Sequence, residues 1–289
     1  MLEILVSGLI VGAAYAALGL GVTLVAKMSG VVSFAQAAVA LLGSYTGLVA
    51  GTAFRLPPLL ALLVGLLAGA AVGALFGWII ARWFQGADVR IRSSATIALM
   101  IGGLTVGARI FGDTPREAPS LLGGHTLALG GVTLDSGLLA ALAVSVCLAV
   151  ALDLALHRTH GGTRLQAYAE RPVTAELIGI PAQRLTVLVW GVAGAISALA
   201  MHVVMSATAR NANFMALSLL IIPALCASLI GRFQSFYLTL LGGLGLGILE
   251  ALLLSIPDVA PYAQAVYLPV IMALLLWTHR KEVWDGQRG

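Results

Sequence analysis

An all-α polytopic membrane protein is the fold class this sequence predicts, and three observations carry that prediction. The 289-residue chain is 60% hydrophobic and 10% charged, with a mean hydropathy of +1.01, whereas a soluble globular domain carries about a quarter charged residues. Its apolar stretches approach the roughly 20 residues that a helix needs to cross about 30 Å of hydrocarbon. Its 34 glycines suit helices packed closely in lipid, where small residues let backbones approach and no hydrophobic effect drives association. A water-soluble single-domain enzyme is excluded, and residues 1–289 read as a single transmembrane domain.

Cutting the chain at its charges and turn residues gives about nine transmembrane helices, eight to ten if boundaries shift. The first span, Ile4 to Ala26, follows Glu3 with no Lys or Arg ahead of it. Lacking the basic region and cleavage site of a secretory signal, it is expected to stay in the membrane. Val31 to Ala53, Pro58 to Ala81, Ser93 to Phe111 and Gly137 to Leu156 follow. Leu185 to Ala207, Phe214 to Gly231, Gln234 to Ile256 and Tyr262 to Thr278 complete the set. The second and seventh are the spans that a break or re-entrant turn would interrupt.

Nine spans place the termini on opposite sides, and the positive-inside rule sets the orientation. With the N-terminus outside and the C-terminus cytoplasmic, the inner loops hold Lys27, Arg82, Arg90, Arg92, Arg158, Arg164, Arg171, Arg184, Arg232, Arg280, Lys281 and Arg288. Only Arg55, Arg109, Arg116 and Arg210 fall outside. The net charge of +4 is thus spread singly between apolar runs; it marks topology and forms no stripe for nucleic acid. Cys147 and Cys226 lie inside apolar runs and read as buried free thiols.

Within the spans, glycine recurs at every fourth position: Gly43, Gly47 and Gly51; Gly65, Gly69, Gly73 and Gly77; Gly103 and Gly107; Gly243 and Gly247. Each series draws a smooth stripe down one helix face, expected to serve helix packing. Between spans four and five, alternating apolar residues flank Gly130-Gly131, the signal of a small external β-hairpin. Inside, 157–184 is the most polar stretch, expected as two short surface helices interrupted by Pro172 and stopped near Gly179 and Pro181. Helical spacing puts Leu165, Tyr168, Ala169, Val173, Leu177 and Ile180 on one face, with Arg164, Glu170, Arg171 and Glu176 around it. Such a face lies on lipid headgroups or seats in a protein groove, and the presence of both charge signs favours the groove.

No arrangement for catalysis stands out. The chain lacks the GxxxxGK[ST] phosphate loop, His157 and His160 have no further ligands at metal spacing, and no serine–histidine–acid or paired-carboxylate set is present. No cofactor is expected on this chain, and any ATP belongs to a partner. The one clear intramembrane acid is Glu250, a functional candidate because charge is costly in hydrocarbon. It serves either a substrate path or proton coupling, or locks helices together. Tyr15 and Thr23 in span one, and Ser33, Gln36 and Ser44 in span two, offer uncharged hydrogen-bonding groups for a small polar solute. Interhelical bonding explains them equally well.

Several blocks in collinear order resemble the permease subunits of branched-chain amino acid ABC importers, the LivH and LivM type. Gly8 to Tyr15, Ala17 to Leu24, Gly30 to Ala37 and Leu42 to Tyr45 are similar to the family's opening block. Leu129 to Thr133 resembles its external loop, and Gly161 to Arg184 its cytoplasmic coupling segment. Ile230-Gly231, Gly242-Gly243 and Leu249-Glu250-Ala251 resemble its closing block. The resemblance implies a transmembrane permease domain in the bacterial cytoplasmic membrane with a second permease subunit, two ABC ATPase subunits carrying ATP and Mg, and an extracytoplasmic substrate-binding protein. It implies that Arg164, Glu170, Arg171, Glu176 and Gly179 couple to the ATPases; Tyr15, Thr23, Ser33, Gln36, Ser44 and Glu250 stay the candidates for the translocation path on their polarity alone.

Two departures bear on the solute. Ser33-Phe34-Ala35-Gln36-Ala37 is closer to the LivM-like Ser-Leu-Gly-Gln-Ala than to the LivH-like Asn-Phe-Ala-His-Gly. The family's Gly-Gly-x-Gly-Ser turn is Gly231-Arg232-Phe233-Gln234-Ser235 here. The solute is accordingly a branched-chain or related amino acid, or another small polar molecule such as urea or an amide. An ATP-independent secondary transporter or channel built on Glu250 is the rival reading, and it calls for internal inverted repeats. A scaffold subunit, the third, predicts that the polar residues of spans one and two are dispensable.

Overall fold

The computed structural model describes residues 2–84, 86–112, 126–129, 132–177, 181–208, 213–274 and 276. Among the described residues the regular structure is helical apart from one short backbone ladder. Helices α1 (Leu2–Ser29), α2 (Gln36–Ala53), α3 (Pro58–Trp83) and α4 (Val89–Phe111) precede strands β1 (Thr126–Leu129) and β2 (Val132–Asp135). They are followed by α5 (Ser136–Arg158), α6 (His160–Glu170), α7 (Pro172–Leu177), α8 (Ala182–Thr208), α9 (Phe214–Ser218), α10 (Ile221–Ile230) and α11 (Phe236–Leu254), then a 3₁₀ turn at Ala260–Val266. Leu129 pairs with Val132 and Thr126 with Asp135 in the antiparallel ladder. The expected Gly130-Gly131 link lies outside the described residues.

Among the described residues six helices are long and apolar enough to cross a membrane. They correspond to the expected first, third, fourth, fifth, sixth and eighth spans, and the other three are shorter for identifiable reasons. Gly30, at φ +65°, ends α1 by donating its N–H to the Ala26 carbonyl at 2.9 Å, a left-handed position that glycine occupies without a Cβ clash. Residues 31–35 are not helical, so the second span begins its helix at Gln36 rather than Val31. The seventh span divides at Leu219 and Leu220. Pro223 sits in the first turn of α10, where its missing N–H is tolerated, while its ring excludes a helical carbonyl at Leu219 four residues earlier. The ninth opens with the 3₁₀ turn, and its helix is described to Leu274 and again at Leu276, with 277 and 278 outside the described residues.

Glycine stripes set the packing, as their spacing predicts. A Cβ on Gly12 would lie 2.8 Å from the Gly243 carbonyl, and one on Gly8 2.8 Å from Ile248 Cα. Hence α1 and α11 touch backbone to backbone and run antiparallel. Lys27 closes that seam by placing its ammonium 5.1 Å from the Phe236 ring centre, a cation–π contact. On the other side, a Cβ on Gly77 would lie 2.6 Å from Trp190 Cβ, and one on Gly73 3.1 Å from Gly194 Cα, so α3 and α8 are antiparallel too. Gly43 and Gly47 seat α2 on Gly69 and Gly65 of α3, and Gly103 and Gly107 seat α4 on Ala38 and Phe214.

These contacts fix helix directions. Ala13 clusters with Val203, and Gly21 faces Ser197, so α8 is antiparallel to α1, as α11 is. The segment containing α9 and α10 therefore returns the chain to the side from which α8 started. Likewise α1 and α3 both oppose α8, so α2 carries the chain back between them although it has only 18 residues. At the centre stand α1 and α8, with 83% and 67% of their apolar windows buried, whereas 17% for α4 leaves it at the periphery. Position explains one correction: Cys147 is exposed, not buried, because α5 presents part of its apolar surface outward, while Cys226 is buried as expected.

Candidate translocation path and coupling surface

Positions Tyr15, Gly19 and Thr23 of α1 are spaced by four, so they form one stripe along the helix. Each meets a polar group from the C-terminal third of the chain. Tyr15 Oη donates to Glu250 Oε2, and Tyr267 Oη donates to the same oxygen at 2.7 Å. The two phenol rings stand edge to face, 6.3 Å apart. One turn on, Ser228 Oγ donates to the Gly19 carbonyl at 2.8 Å, and a further turn on the Thr23 and Thr239 hydroxyls pair at 3.0 Å. A Cβ at Gly19 would press on the Ala224 carbonyl at 2.9 Å, so the close approach needs glycine. Every polar side chain on this stripe is satisfied by protein, the pattern of interhelical adhesion. Glu250 also borders open space, a groove of about 370 Å³ lined by Ile4, Ser7, Val11, Gly247 and Leu254 among others.

A second polar set lies where α1 gives way to α2, and it is not satisfied. Gln36, 1% exposed at the first turn of α2, accepts a hydrogen bond from Ser197 Oγ at 3.0 Å through Oε1, while its Nε2 has no partner. Ser33 Oγ, wholly buried, has none either; elsewhere in the bundle Nδ1 of His202 and Nε1 of Trp190 on α8 are also without one. The non-helical connector is held from α4, whose Thr96 hydroxyl accepts the Phe34 N–H at 3.2 Å. Ala35 caps α2 without any side-chain bond, which leaves the amide-rich end of the helix beside these groups. Buried unsatisfied donors are costly, about 1–3 kcal/mol each, so their retention here calls for a purpose. Ser44 is different: buried, it donates to the Leu41 carbonyl of its own helix at 3.3 Å.

Segment 157–184 forms the two expected helices, α6 and α7. Thr159 caps α6 by accepting the Gly162 N–H at 3.0 Å, and Gln166 Nε2 reaches back to the Leu156 carbonyl at 2.9 Å. Gly162 is buried against the last carbonyls of α5, where a Cβ would not fit, so α6 leaves α5 at a sharp corner. The apolar face turns the opposite way from the sequence reading: Leu165 and Ala169 pack on the bundle's own core, and Leu165 and Tyr168 close on Met28, Leu185 and Trp190. Amphipathicity shows that a face is covered without showing by what. The outer face presents Arg164, Ala167, Glu170 and Arg171, with Leu177 82% exposed beyond them. Glu176 belongs to α7; Gly179 and Ile180 lie outside the described residues.

Tyr267, Thr239, Ser228 and Ser197 are the partners that residue patterns alone missed. For Ser197, Thr239 and Ser228 the available signal is a hydroxyl inside an apolar span; nothing local marks Tyr267 as the mate of Glu250.

Comparison with known proteins decides the family. Residues 4–276 match the family described as branched-chain amino acid transport system / permease component. This chain belongs to that family. It is 29% identical over 250 residues to a probable branched-chain amino acid transport permease protein LivH of Methanocaldococcus jannaschii, covering 82% of this chain and 76% of the relative. It is 28% identical over 263 residues to the high-affinity branched-chain amino acid transport system permease protein BraD of Pseudomonas aeruginosa, covering 86% and 85%. As a permease component of a branched-chain amino acid ABC transport system, it is a multi-pass membrane protein and a non-catalytic transport subunit.

Proposed function

We propose that this permease is one of a pair, its mate identical or homologous, that imports a branched-chain or related amino acid across the bacterial cytoplasmic membrane. A substrate-binding protein delivers the solute outside, and two ABC ATPase subunits carrying ATP and Mg drive the cycle from the cytoplasm. Nine crossings, with the N-terminus and the β1–β2 hairpin outside, are supported by the helix directions: both the short α2 and the broken α9–α10 segment have to bring the chain back.

The observation that carries the coupling role is the orientation of α6. With Leu165 and Ala169 turned into the bundle, Arg164, Glu170 and Arg171 face outward on a helix rooted in the core cluster, so a push on that face reaches α1 and α8. Glu176 and Gly179 extend the same coupling segment. Glu170→Arg is expected to abolish ATP-driven uptake in proteoliposomes while membrane insertion stays normal. Unchanged uptake and unchanged solute-stimulated ATPase activity would exclude this role.

For the path, the unsatisfied Ser33 and Gln36 are assigned to solute contact, while Thr23 and Ser44, already bonded within the protein, stabilise the helices beside it. Tyr15 and Glu250 form a lock at the edge of the path. The groove beside Glu250 is the feature that favours a secondary transporter, in which this carboxyl would exchange protons. Its engagement by two phenols through one oxygen favours the lock.

A further inference from the structure

On the far side of the bundle from Glu250, helices α3 and α8 leave between them an open groove of about 710 Å³. Its floor is made of small residues, Ala70 and Ala74 against Gly191 and Ala195, and Val187, Leu188 and Val192 form its wall. One end is different in kind. Arg184 and Gln183 line it, and Trp78 stands over it with its ring 5.5 Å from that of Trp83. Arg82 follows Ala70, Ala74 and Trp78 in the same four-residue row, and the antiparallel seam brings that end of α3 beside the start of α8. Among the described residues neither Arg82 nor Arg184 has an ion pair, and both are exposed.

We propose that this groove is a binding site for one anionic phospholipid, its acyl chain on the Ala70–Ala74–Gly191–Ala195 floor and its phosphate between Arg82 and Arg184. Length selects this occupant. From Arg184 to Ala195 a helix advances about 16 Å, half of the roughly 30 Å hydrocarbon thickness. That is the depth of a single leaflet, too short for a partner's spanning helix. Chemistry agrees: the apolar part receives hydrocarbon, Trp78 and Trp83 sit where aromatic side chains mark the membrane–water interface, and unpaired arginines beyond them meet an anionic headgroup. A second copy of the chain fits poorly. A two-fold axis along the membrane normal holds both copies at the same depth, so it would bring four like charges together.

The full-length chain, purified with the subunits that accompany it, is incubated with equal amounts of phosphatidylglycerol and phosphatidylcholine, and retained lipid is read by native mass spectrometry. Phosphatidylglycerol is expected to be retained preferentially. Each interfacial arginine is expected to contribute about 5-fold, so Arg184→Gln lowers retention about 5-fold and the Arg82→Gln/Arg184→Gln pair about 30-fold. Gly191→Leu tests the groove without touching the charges. A Cβ there lies 3.4 Å from the Ala70 carbonyl, ordinary contact, so the larger side chain fills the groove without parting the helices, and lipid retention is lost. Equal retention of the two lipids overturns the proposal, as does unchanged retention in the double variant or in Gly191→Leu. So does efficient disulfide cross-linking between copies through Val192→Cys in a Cys147→Ser background, which would place a second permease in the groove.

Discussion

Replacing Gln36 with leucine separates structural from transport roles, because the two predict opposite outcomes. The side chain is 1% exposed, makes one interhelical bond to Ser197, and leaves Nε2 without a partner. An interhelical side-chain bond in a membrane protein contributes about 0.6 kcal/mol on average. Removing the buried unsatisfied donor returns about 1–3 kcal/mol. The substitution also strips the buried Ser197 hydroxyl of its acceptor, a cost of similar size, so if Gln36 served only the fold Gln36→Leu would change stability by less than about 2 kcal/mol, with transport untouched. If the amide contacts solute, uptake falls at least tenfold, a loss of about 1.4 kcal/mol at the transport barrier, while stability is kept. The assay pairs thermal unfolding in detergent with ATP-driven uptake into proteoliposomes. Wild-type uptake by a stable Gln36→Leu protein refutes the assignment of Gln36 to the path, and loss of stability by more than about 2 kcal/mol refutes the reasoning about its unsatisfied amide.

Three further substitutions test neighbouring parts of the account. Glu250→Gln keeps an acceptor for both Tyr15 and Tyr267, so it is expected to lower stability by less than about 1 kcal/mol and to retain most ATP-driven uptake; abolished uptake with normal assembly would instead put the carboxyl in the path. Gly73→Leu drives a side chain into the α3–α8 seam, where a Cβ alone would be 3.1 Å from Gly194 Cα; folded protein on size-exclusion chromatography should largely disappear, and a normal yield would contradict the seam. Arg232 has φ +54° and is exposed, so Arg232→Gly should raise stability by about 1 kcal/mol in thermal unfolding, and a lower melting temperature would show that its side chain holds the α10–α11 turn.

That last position shows how far the sequence could be read. Arg232 stands where the family pattern expects a glycine, and it has positive φ, +54°, as does Phe233 beside it at +53°. A mismatch visible in the letters thus became a backbone conformation. The glycine rows were legible for the same reason, since a four-residue period has one meaning on a helix. What covers a face was not. Leu165 and Ala169 announced an apolar side to α6, yet only the corner at Gly162 shows that this side turns into the bundle. Glu250 was conspicuous as a lone acid, but its mate Tyr267 sits beyond a proline-containing 3₁₀ turn with no periodic signal. Hydropathy also treats lipid-facing and buried positions alike, which is why Cys147 was misplaced. The unsatisfied state of Gln36 Nε2, the feature that now distinguishes path from packing, depends on Ser197, 161 positions away.

The central claim is that this permease works with separate ATPases through the outward face of α6. It is tested most directly by co-expressing the chain with its chromosomal neighbours, purifying it in detergent, and identifying what stays bound by mass spectrometry, for the wild type and for Glu170→Arg. The account predicts that an ATP-binding subunit co-purifies with the wild type and is weakened or lost with Glu170→Arg. A stable complex that contains no ATPase and still moves solute would contradict it, and would shift attention to Glu250.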